Sequence, residues 1–142
     1  MEKGRFEYRT VIKKDIRLVW DFFSDPVNLQ KITSFPRVQV IRDSEQEEER
    51  IKIKLNFLFL FRITWDAVIT EKRDQDYFVD KGDNLPFPLR QWKHTHQFES
   101  SGTGTIMTDK VEYIAFAPDI LVKMMLILMF KSREKKIKSI FR

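Results

Sequence analysis

The strongest restriction on the fold comes from six strand-like segments followed by one long segment without a helix breaker. Residues 36–116 show no helical periodicity, and turn-forming residues divide them into short β-favouring pieces. The predicted strands cover residues 37–43, 49–57, 62–72, 76–81, 91–99 and 104–115. Residue 118 is proline, and the 24 residues after it include no Gly or Pro, which predicts a long helix. Six strands with short links favour an antiparallel meander.

One strand and two short helices precede this meander. Residues 4–12 alternate as a strand does, and Asp15 can cap a helix that runs to about Ser24. Pro26 then suits the first turn of a second short helix. The order β-α-α-β6-α predicts an α+β helix-grip fold, in which a seven-stranded antiparallel sheet wraps around the long C-terminal helix. We expect a single domain over residues 1–142, since domains commonly have about 100–150 residues.

The composition excludes several kinds of site. The chain has no cysteine, which rules out a disulfide framework, a thiolate zinc site and a cysteine nucleophile, and fits a reducing compartment. Residues 1–10 lack the apolar region of a secretory signal. The longest apolar stretch, residues 124–130, is far shorter than the roughly 20 residues of a membrane span. These features predict a soluble, cytoplasmic protein.

One end of the predicted sheet is apolar and the other polar. A meander places residues 57–61, 85–89 and 116–118 at one end, and all three segments are apolar where hairpin tips are usually polar. An apolar cluster of this kind favours a ligand entrance, a partner or a membrane. The alternative is that residues 57–61 form one bent strand, with the rest capped by the preceding short helix. The expected cavity mouth consists of Phe57, Phe59, Phe61, Leu85, Phe87 and Phe116.

The two histidines are predicted to point into the interior. His94 and His96 share one face of a strand with Trp92 and Phe98, because residues two apart point the same way. Met107, Asp109, Val111 and Tyr113 form the corresponding row on the next strand. A turn at residues 100–104 can bring Asp109 close to both histidines.

Three interpretations of this row remain open. Inward His and Asp side chains can satisfy each other as buried polar groups must, or they can anchor the polar end of an apolar ligand. The third interpretation is catalysis or metal binding. Zinc needs three or four ligands, so one of Asp109, Asp80 or Asp66 would have to complete the two histidines, although Asp80 can equally be a turn former. No nucleophile motif or phosphate-binding loop supports catalysis, and we predict neither a metal nor another cofactor.

Residues 78–113 resemble the ligand-binding branch of the START-like, or SRPBCC (Bet v 1-like), superfamily. The similarity rests on a Phe-Val-Asp segment, a Trp-x-His-x-His-x-Phe segment, a Gly-x-Gly-Thr turn and an Asp-x-Val-x-Tyr segment. Residues 19–33, Trp65 and residues 129–141 resemble other parts of the same branch. The resemblance implies the helix-grip fold and an internal cavity for a small hydrophobic molecule. Residues 57–61 depart from it, because relatives usually have Gly or Pro in this hairpin.

In such a fold we expect the cavity to accept a lipid, a polyketide-like molecule or an aromatic compound. The expected ligand-binding residues are Trp65, Phe78, Trp92, His94, His96, Met107, Asp109, Tyr113, Leu121 and Met125.

The C-terminal helix has two interpretations. Its sheet-facing stripe is predicted to be Ile120, Leu121, Met124, Met125, Leu128, Met129 and Ile137. Four further apolar residues widen it beyond a single stripe, as expected for a helix held within a concave sheet, namely Val122, Leu126, Ile127 and Phe130. The last twelve residues hold six basic side chains against one acidic one and so carry the whole net charge of +5. These charges suit the helix dipole at a C-terminus, or they can dock on anionic lipid. Nucleic-acid binding is not expected, since no recognition motif accompanies the charge.

Three functional hypotheses follow. The first is a binding module for a small apolar ligand. The second is a cyclase- or dehydratase-type enzyme that uses His94 or His96 with Asp109 for proton transfer. The third is a membrane-associating adaptor, in which residues 57–61 and the basic tail contact lipid.

Overall fold

The computed structural model describes residues 2–33, 37–42, 50–57 and 61–142. A 3-10 helix, Pro26–Asn28, comes directly before the short helix α2. The elements in chain order are β1 (Glu2–Ile12), α1 (Ile16–Phe23), α2 (Leu29–Ile32), β2 (Arg37–Arg42), β3 (Arg50–Phe57), β4 (Phe61–Arg73), β5 (Tyr77–Asp83), β6 (Leu89–Ser101), β7 (Gly104–Ala115) and α3 (Asp119–Ile140).

The seven strands form one antiparallel sheet in the order β1-β7-β6-β5-β4-β3-β2. Consecutive strands from β2 to β7 are neighbours, and β1 closes the row against β7. The predicted meander and the helix-grip order are therefore confirmed. The strand β6 is longer than the predicted 91–99, since pairing with β7 continues from Leu89 to Ser101.

The two short helices cover one part of the sheet. Asp15 caps α1 by accepting a hydrogen bond from the backbone N–H of Arg17 at 3.0 Å. Asp25 caps the 3-10 helix by accepting one from the backbone N–H of Val27 at 3.2 Å. Trp20 of α1 then packs edge-on against Phe98, with 5.3 Å between the ring centroids. This cluster fills the interior on the α1 side of the sheet.

The face that the long helix presents to the sheet matches the predicted stripe only in part. Its buried residues are Val122, Leu126, Phe130, Arg133 and Ile137. Of the predicted stripe, Ile120, Met124 and Leu128 are exposed by 69%, 54% and 68%. The prediction was wrong for these three residues and right for Ile137, and Val122, Leu126 and Phe130 of the widened stripe are buried. Residues 124–130 are all apolar, so apolar spacing alone could not select a face. Among the described residues, no helix is both long and apolar enough to cross a membrane.

Candidate functional site

A cavity of about 390 Å³ lies between the sheet and α3. The opposite walls come from β2, β3 and β4 and from the inner face of α3, with α2 along one side. Apolar side chains form most of the lining, including Val38, Ile53, Trp65, Leu126 and Met129. The side chains of the sheet thus leave this space open. The volume of the cavity lies in the range of about 300–1,000 Å³ that is typical of small-molecule sites.

Exposed residues border this cavity in two places. Phe87, Leu121 and Met125 line it and are 79%, 57% and 47% exposed, which marks an apolar rim where the β5–β6 connection meets the start of α3. Asp25 and Lys72 are also exposed lining residues, on the side of the 3-10 helix.

Two histidine–carboxylate pairs lie in the wall between β5, β6 and β7. The Nε2 atom of His94 is 2.8 Å from Oδ1 of Asp109, and Nε2 of His96 is 2.7 Å from Oδ2 of Asp80. Both pairs run diagonally, because Asp109 lies opposite His96 on β7 and Asp80 lies opposite His94 on β5. The predicted closeness of Asp109 to both histidines is confirmed, and Asp80 is a hydrogen-bond partner rather than a turn residue.

Stacked rings hold the two imidazoles in place. The ring of His96 lies between those of Phe78 and His94, at centroid distances of 4.0 and 3.7 Å. Its Nδ1 atom is buried without a hydrogen-bond partner, and the nearest oxygen of Asp109 is 3.5 Å away. A neutral imidazole that donates from Nε2 has a lone pair on Nδ1. The carboxylate oxygen has no hydrogen to donate to this lone pair, so the two atoms do not form a hydrogen bond.

Burial and charge set the protonation of this cluster. Burial, followed by the charge of His94, lowers the pKa of His96 to about 4, although Asp80 and Asp109 oppose the change. Burial alone would raise the pKa of Asp109, but the hydrogen bond and charge of His94, together with the charges of Arg133 and His96, keep it below its ordinary value. At neutral pH the cluster therefore contains a neutral His96 beside an ionised Asp109.

Arg133 is a further member of the site that the sequence analysis counted only as part of the basic tail. It is 4% exposed, lies on the inner face of α3 and lines the cavity. Burial lowers the pKa of its guanidinium, while the charges of Asp109 and Asp80 raise it. The signal in the sequence was its position, since it continues the buried spacing of Leu126 and Phe130.

Four lining side chains have a buried polar atom without a hydrogen-bond partner, counted among the residues that the structure describes. Buried polar groups in proteins are normally hydrogen-bonded, so these atoms are available to a guest. They are Oγ1 of Thr33, Nε1 of Trp65, Nδ1 of His96 and Nε of Arg133.

Seven of the ten expected ligand-binding residues line the cavity, namely Trp65, Phe78, Trp92, His94, His96, Leu121 and Met125. The other three, Met107, Asp109 and Tyr113, are buried but do not line it. Met107 packs in the cluster around Trp20, and Asp109 is covered by the histidines that it contacts. Tyr113 lies over Gly4 of β1, and its hydroxyl donates to Asp119 at the start of α3. The strand β1 and most of β7 support the site from outside the cavity, and Ala115 at the end of β7 lines it.

The expected mouth is only partly described. Phe87 borders the cavity, whereas Phe116 stacks on Phe87 at 6.0 Å without lining it, and Leu85 folds over Gly82. Phe59 and the side chains of Phe57 and Phe61 lie outside the described residues.

The histidines and Asp80 also form the donor set that a metal would require. One ligand atom from each of Asp80, His94 and His96 lies within 4.8 Å of the others. Each histidine nevertheless directs Nε2 to a different carboxylate, so a metal bound through these two Nε2 atoms would have to replace both hydrogen bonds. Asp66 is not available as a further ligand, because it pairs with Arg50 at 3.2 Å on the neighbouring strand.

Comparison of the sequence with known families gives no match to a family model. No curated protein matches it either. Solved structures are similar in fold. A Chromobacterium violaceum protein superposes with a TM-score of 0.79 at 13% identity and covers 97% of each chain. The major latex-like protein 151 of Panax ginseng gives a TM-score of 0.76 at 12% identity, over 99% of this chain and 98% of that one.

An aromatase/cyclase from a Streptomyces species gives a TM-score of 0.73 at 10% identity, over 97% of this chain and 93% of that one. Identities this low relate folds, not activities. The order of strands, the position of the long helix and these superpositions agree, and the chain has the START-like, SRPBCC-type helix-grip fold that its sequence motifs predicted.

Proposed function

We propose that the protein binds a small hydrophobic molecule in the cavity between the sheet and α3. The observation that carries this proposal is a cavity of about 390 Å³ with mainly apolar walls and a few polar atoms that lack partners. Apolar walls favour the transfer of an apolar guest from water, and unpartnered polar atoms orient it. A lipid, a polyketide-like molecule or an aromatic compound has this combination of surfaces.

Native mass spectrometry of freshly purified protein tests the proposal directly. We expect a co-purified molecule that leaves when the protein is denatured. A neutral apolar dye such as phenylnaphthylamine provides a second test, because its fluorescence rises when it leaves water.

A cavity-filling variant shows whether the dye enters this cavity. Val38 lines the cavity and is 7% exposed, whereas Val11 on β1 is 45% exposed and does not line it. We expect Val38→Phe to weaken dye binding by about tenfold or more, since the new ring occupies the space of the guest. Val11→Phe should leave it unchanged. Equal binding by the two variants would refute the proposal.

A second candidate function is acid–base catalysis on the bound molecule. It is favoured by the pair of His94 and Asp109, because a buried carboxylate on one imidazole nitrogen fixes the tautomer and leaves the other nitrogen for proton transfer. The likeness to an aromatase/cyclase supports this candidate at the level of fold. Replacing both His94 and His96 with Gln separates the functions: an enzyme should lose turnover while the dye still binds, and a binding protein has no turnover to lose.

A further inference from the structure

Arg133 is the one charged residue on the buried face of α3. The other buried residues of this face are Val122, Leu126, Phe130 and Ile137, all apolar. The Arg133 side chain is 4% exposed and borders the cavity. Leu121 at the rim is twelve residues earlier on the same helix, which corresponds to about 18 Å along its axis. Arg133 therefore lies far from the apolar rim.

The guanidinium of Arg133 has no ion-pair partner within the described part of the chain. Its contact is with the ring of Phe130, 4.8 Å below it, and its Nε atom is buried without a hydrogen bond. The two nearby carboxylates, Asp109 and Asp80, already accept hydrogen bonds from His94 and His96. They act on Arg133 through charge at a distance, and neither forms a salt bridge with it.

A guanidinium offers five N–H donors and stays charged in proteins, and a buried charge without a paired group is unfavourable. We propose that Arg133 binds the acidic group of the ligand, so that the natural guest is an apolar molecule with one carboxylate. This inference rests on the proposed binding function. A singly charged carboxylate is preferred over a phosphate dianion, because Asp80 and Asp109 contribute negative charge to the same region.

The test compares matched ligands that differ only in the acidic group. Dodecanoate and dodecanol, and naphthoate and naphthylmethanol, are titrated as competitors of the neutral dye at pH 7.5. We expect each acid to bind at least tenfold more tightly than its alcohol to the unchanged protein. Arg133→Met keeps the length and apolar volume of the side chain, and it should remove this preference while the alcohols bind within about threefold of their former affinity. Lys136→Met, an exposed residue of the same helix, should keep the preference.

Equal binding of acid and alcohol, failure of both acids to compete, or an unchanged preference in Arg133→Met would each overturn the inference. Dye binding that is sensitive to Val38→Phe would still support the cavity in those cases, so the two proposals fail separately. The thermal midpoint provides an independent readout. Arg133→Met should unfold at an equal or higher temperature without ligand, because replacing an unpaired buried charge with an apolar group removes its desolvation cost.

The outer face of α3 carries a second inference, on different observations. Ile120, Met124 and Leu128 repeat every four residues and are all more than half exposed. Lys131 and Lys135 continue the same face, because they follow Leu128 at three and seven residues. One helix face is thus apolar in its first half and basic in its second.

The apolar half is continuous with the cavity rim. Leu121 and Met125 belong both to this exposed surface and to the cavity lining, and Phe87 extends it from the β5–β6 connection. An exposed apolar patch bordered by lysines matches a bilayer with anionic lipid, since the apolar side chains enter the headgroup boundary and the ammonium groups meet the phosphates. The geometry points to α3 as a docking surface for an anionic membrane, with the cavity rim against the lipid.

Flotation with phosphatidylcholine vesicles, with and without phosphatidylserine, tests this surface. We expect binding to the anionic vesicles, weakened by salt. The triple change of Ile120, Met124 and Leu128 to Ser should abolish it, whereas Leu18→Ser, 53% exposed on α1, should not. Lys131→Glu with Lys135→Glu should weaken binding at least tenfold, since each near-surface lysine contributes about fivefold.

Binding that persists in the triple variant, or none to either vesicle, would contradict the inference. So would light scattering that shows a dimer of the unchanged protein and a monomer of the triple variant, because the face would then join two copies of the chain.

Discussion

The Nε2 atom of His94 lies 2.8 Å from Oδ1 of Asp109, although the residue paired with Asp109 across the strands is His96. His96 in turn bonds Asp80, which is paired with His94. This crossed arrangement ties β5, β6 and β7 together through side chains as well as through the backbone. It also fixes the orientation of the two imidazole rings that line the cavity. The same hydrogen bonds therefore satisfy buried polar groups and hold these rings in place.

Asp109→Ala should be strongly destabilising. The substitution leaves His94 without its acceptor and removes a negative charge that stabilises the buried Arg133. We expect the free energy of unfolding to fall by about 3 kcal/mol, as for other broken buried pairs, measured by urea denaturation at pH 7. Glu112→Ala on the exposed face of the same strand is the control and should change it little. A loss as small as that of the control would show that the crossed pairs contribute nothing to stability.

The stability of the protein should decrease on mild acidification because of His96. The pKa of this imidazole is 6.5 in a model peptide and about 4 in the folded protein, lowered by burial and then by His94. Between these values the unfolded chain binds a proton that the folded protein does not, so the free energy of unfolding falls as the pH falls. Of the groups that face it, His94 lowers the pKa of His96 and increases this effect. Asp80 and Asp109 raise the pKa and reduce the effect, but they do not reverse it. The expected loss from pH 7 to pH 4 is on the order of 3 kcal/mol.

His96→Gln removes this titration and should flatten the pH dependence between about 6.5 and 4. The measurement is the urea midpoint, followed by tryptophan fluorescence at several pH values. Gln97→Ala, on the exposed face of the same strand, should keep the slope of the unchanged protein. An identical slope in His96→Gln would mean that other groups govern acid unfolding.

The row of side chains around the histidines could be predicted because a strand has an unambiguous period of two. Once the turn at residues 100–104 was recognised, the pairing of β6 with β7 brought Asp109 beside the histidines. The partner of His96 was harder to predict, because Asp80 lies on β5, and the connection from β5 to β6 at residues 84–88 is longer than the two-residue turns that fix the register of a hairpin.

The face of α3 could not be predicted for a different reason. Residues 124–130 are all apolar and cover every side of the helix, so contacts with β1, β6 and β7 decide which side is buried, and periodicity does not contain these contacts. The ring of Phe130 packs against those of Phe6 and Tyr8 on β1, with 5.4 and 5.7 Å between the ring centroids. This packing turns Arg133 inward. From its charge alone, Arg133 was predicted only as one of the basic residues of the tail. The buried guanidinium is therefore a consequence of tertiary packing.

Tyr113→Phe should loosen the start of α3. The Tyr113 hydroxyl donates to Asp119, and burial and this bond raise the pKa of the phenol. Loss of a hydrogen bond to a charged group should cost about 1.5 kcal/mol and speed amide exchange in the first turn of α3. Tyr77→Phe is a matched control, since its hydroxyl makes only an exposed bond of 3.4 Å to Glu71. Equal effects of the two variants would show that the bond does not hold α3.

Gly104→Ala should disturb the corner where β7 begins. A Cβ atom on Gly104 would lie 2.3 Å from the carbonyl oxygen of Ile12, and its backbone φ is +154°. Because the atoms in its way belong to the backbone at the end of β1, they cannot move aside as a flexible side chain does. We expect a loss of about 2 kcal/mol or more, read from the urea midpoint. Gly102→Ala, two residues earlier in the same turn, meets nothing within 4 Å and should be nearly neutral. If both variants are neutral, the close approach of β1 and β7 at this corner does not exist in solution.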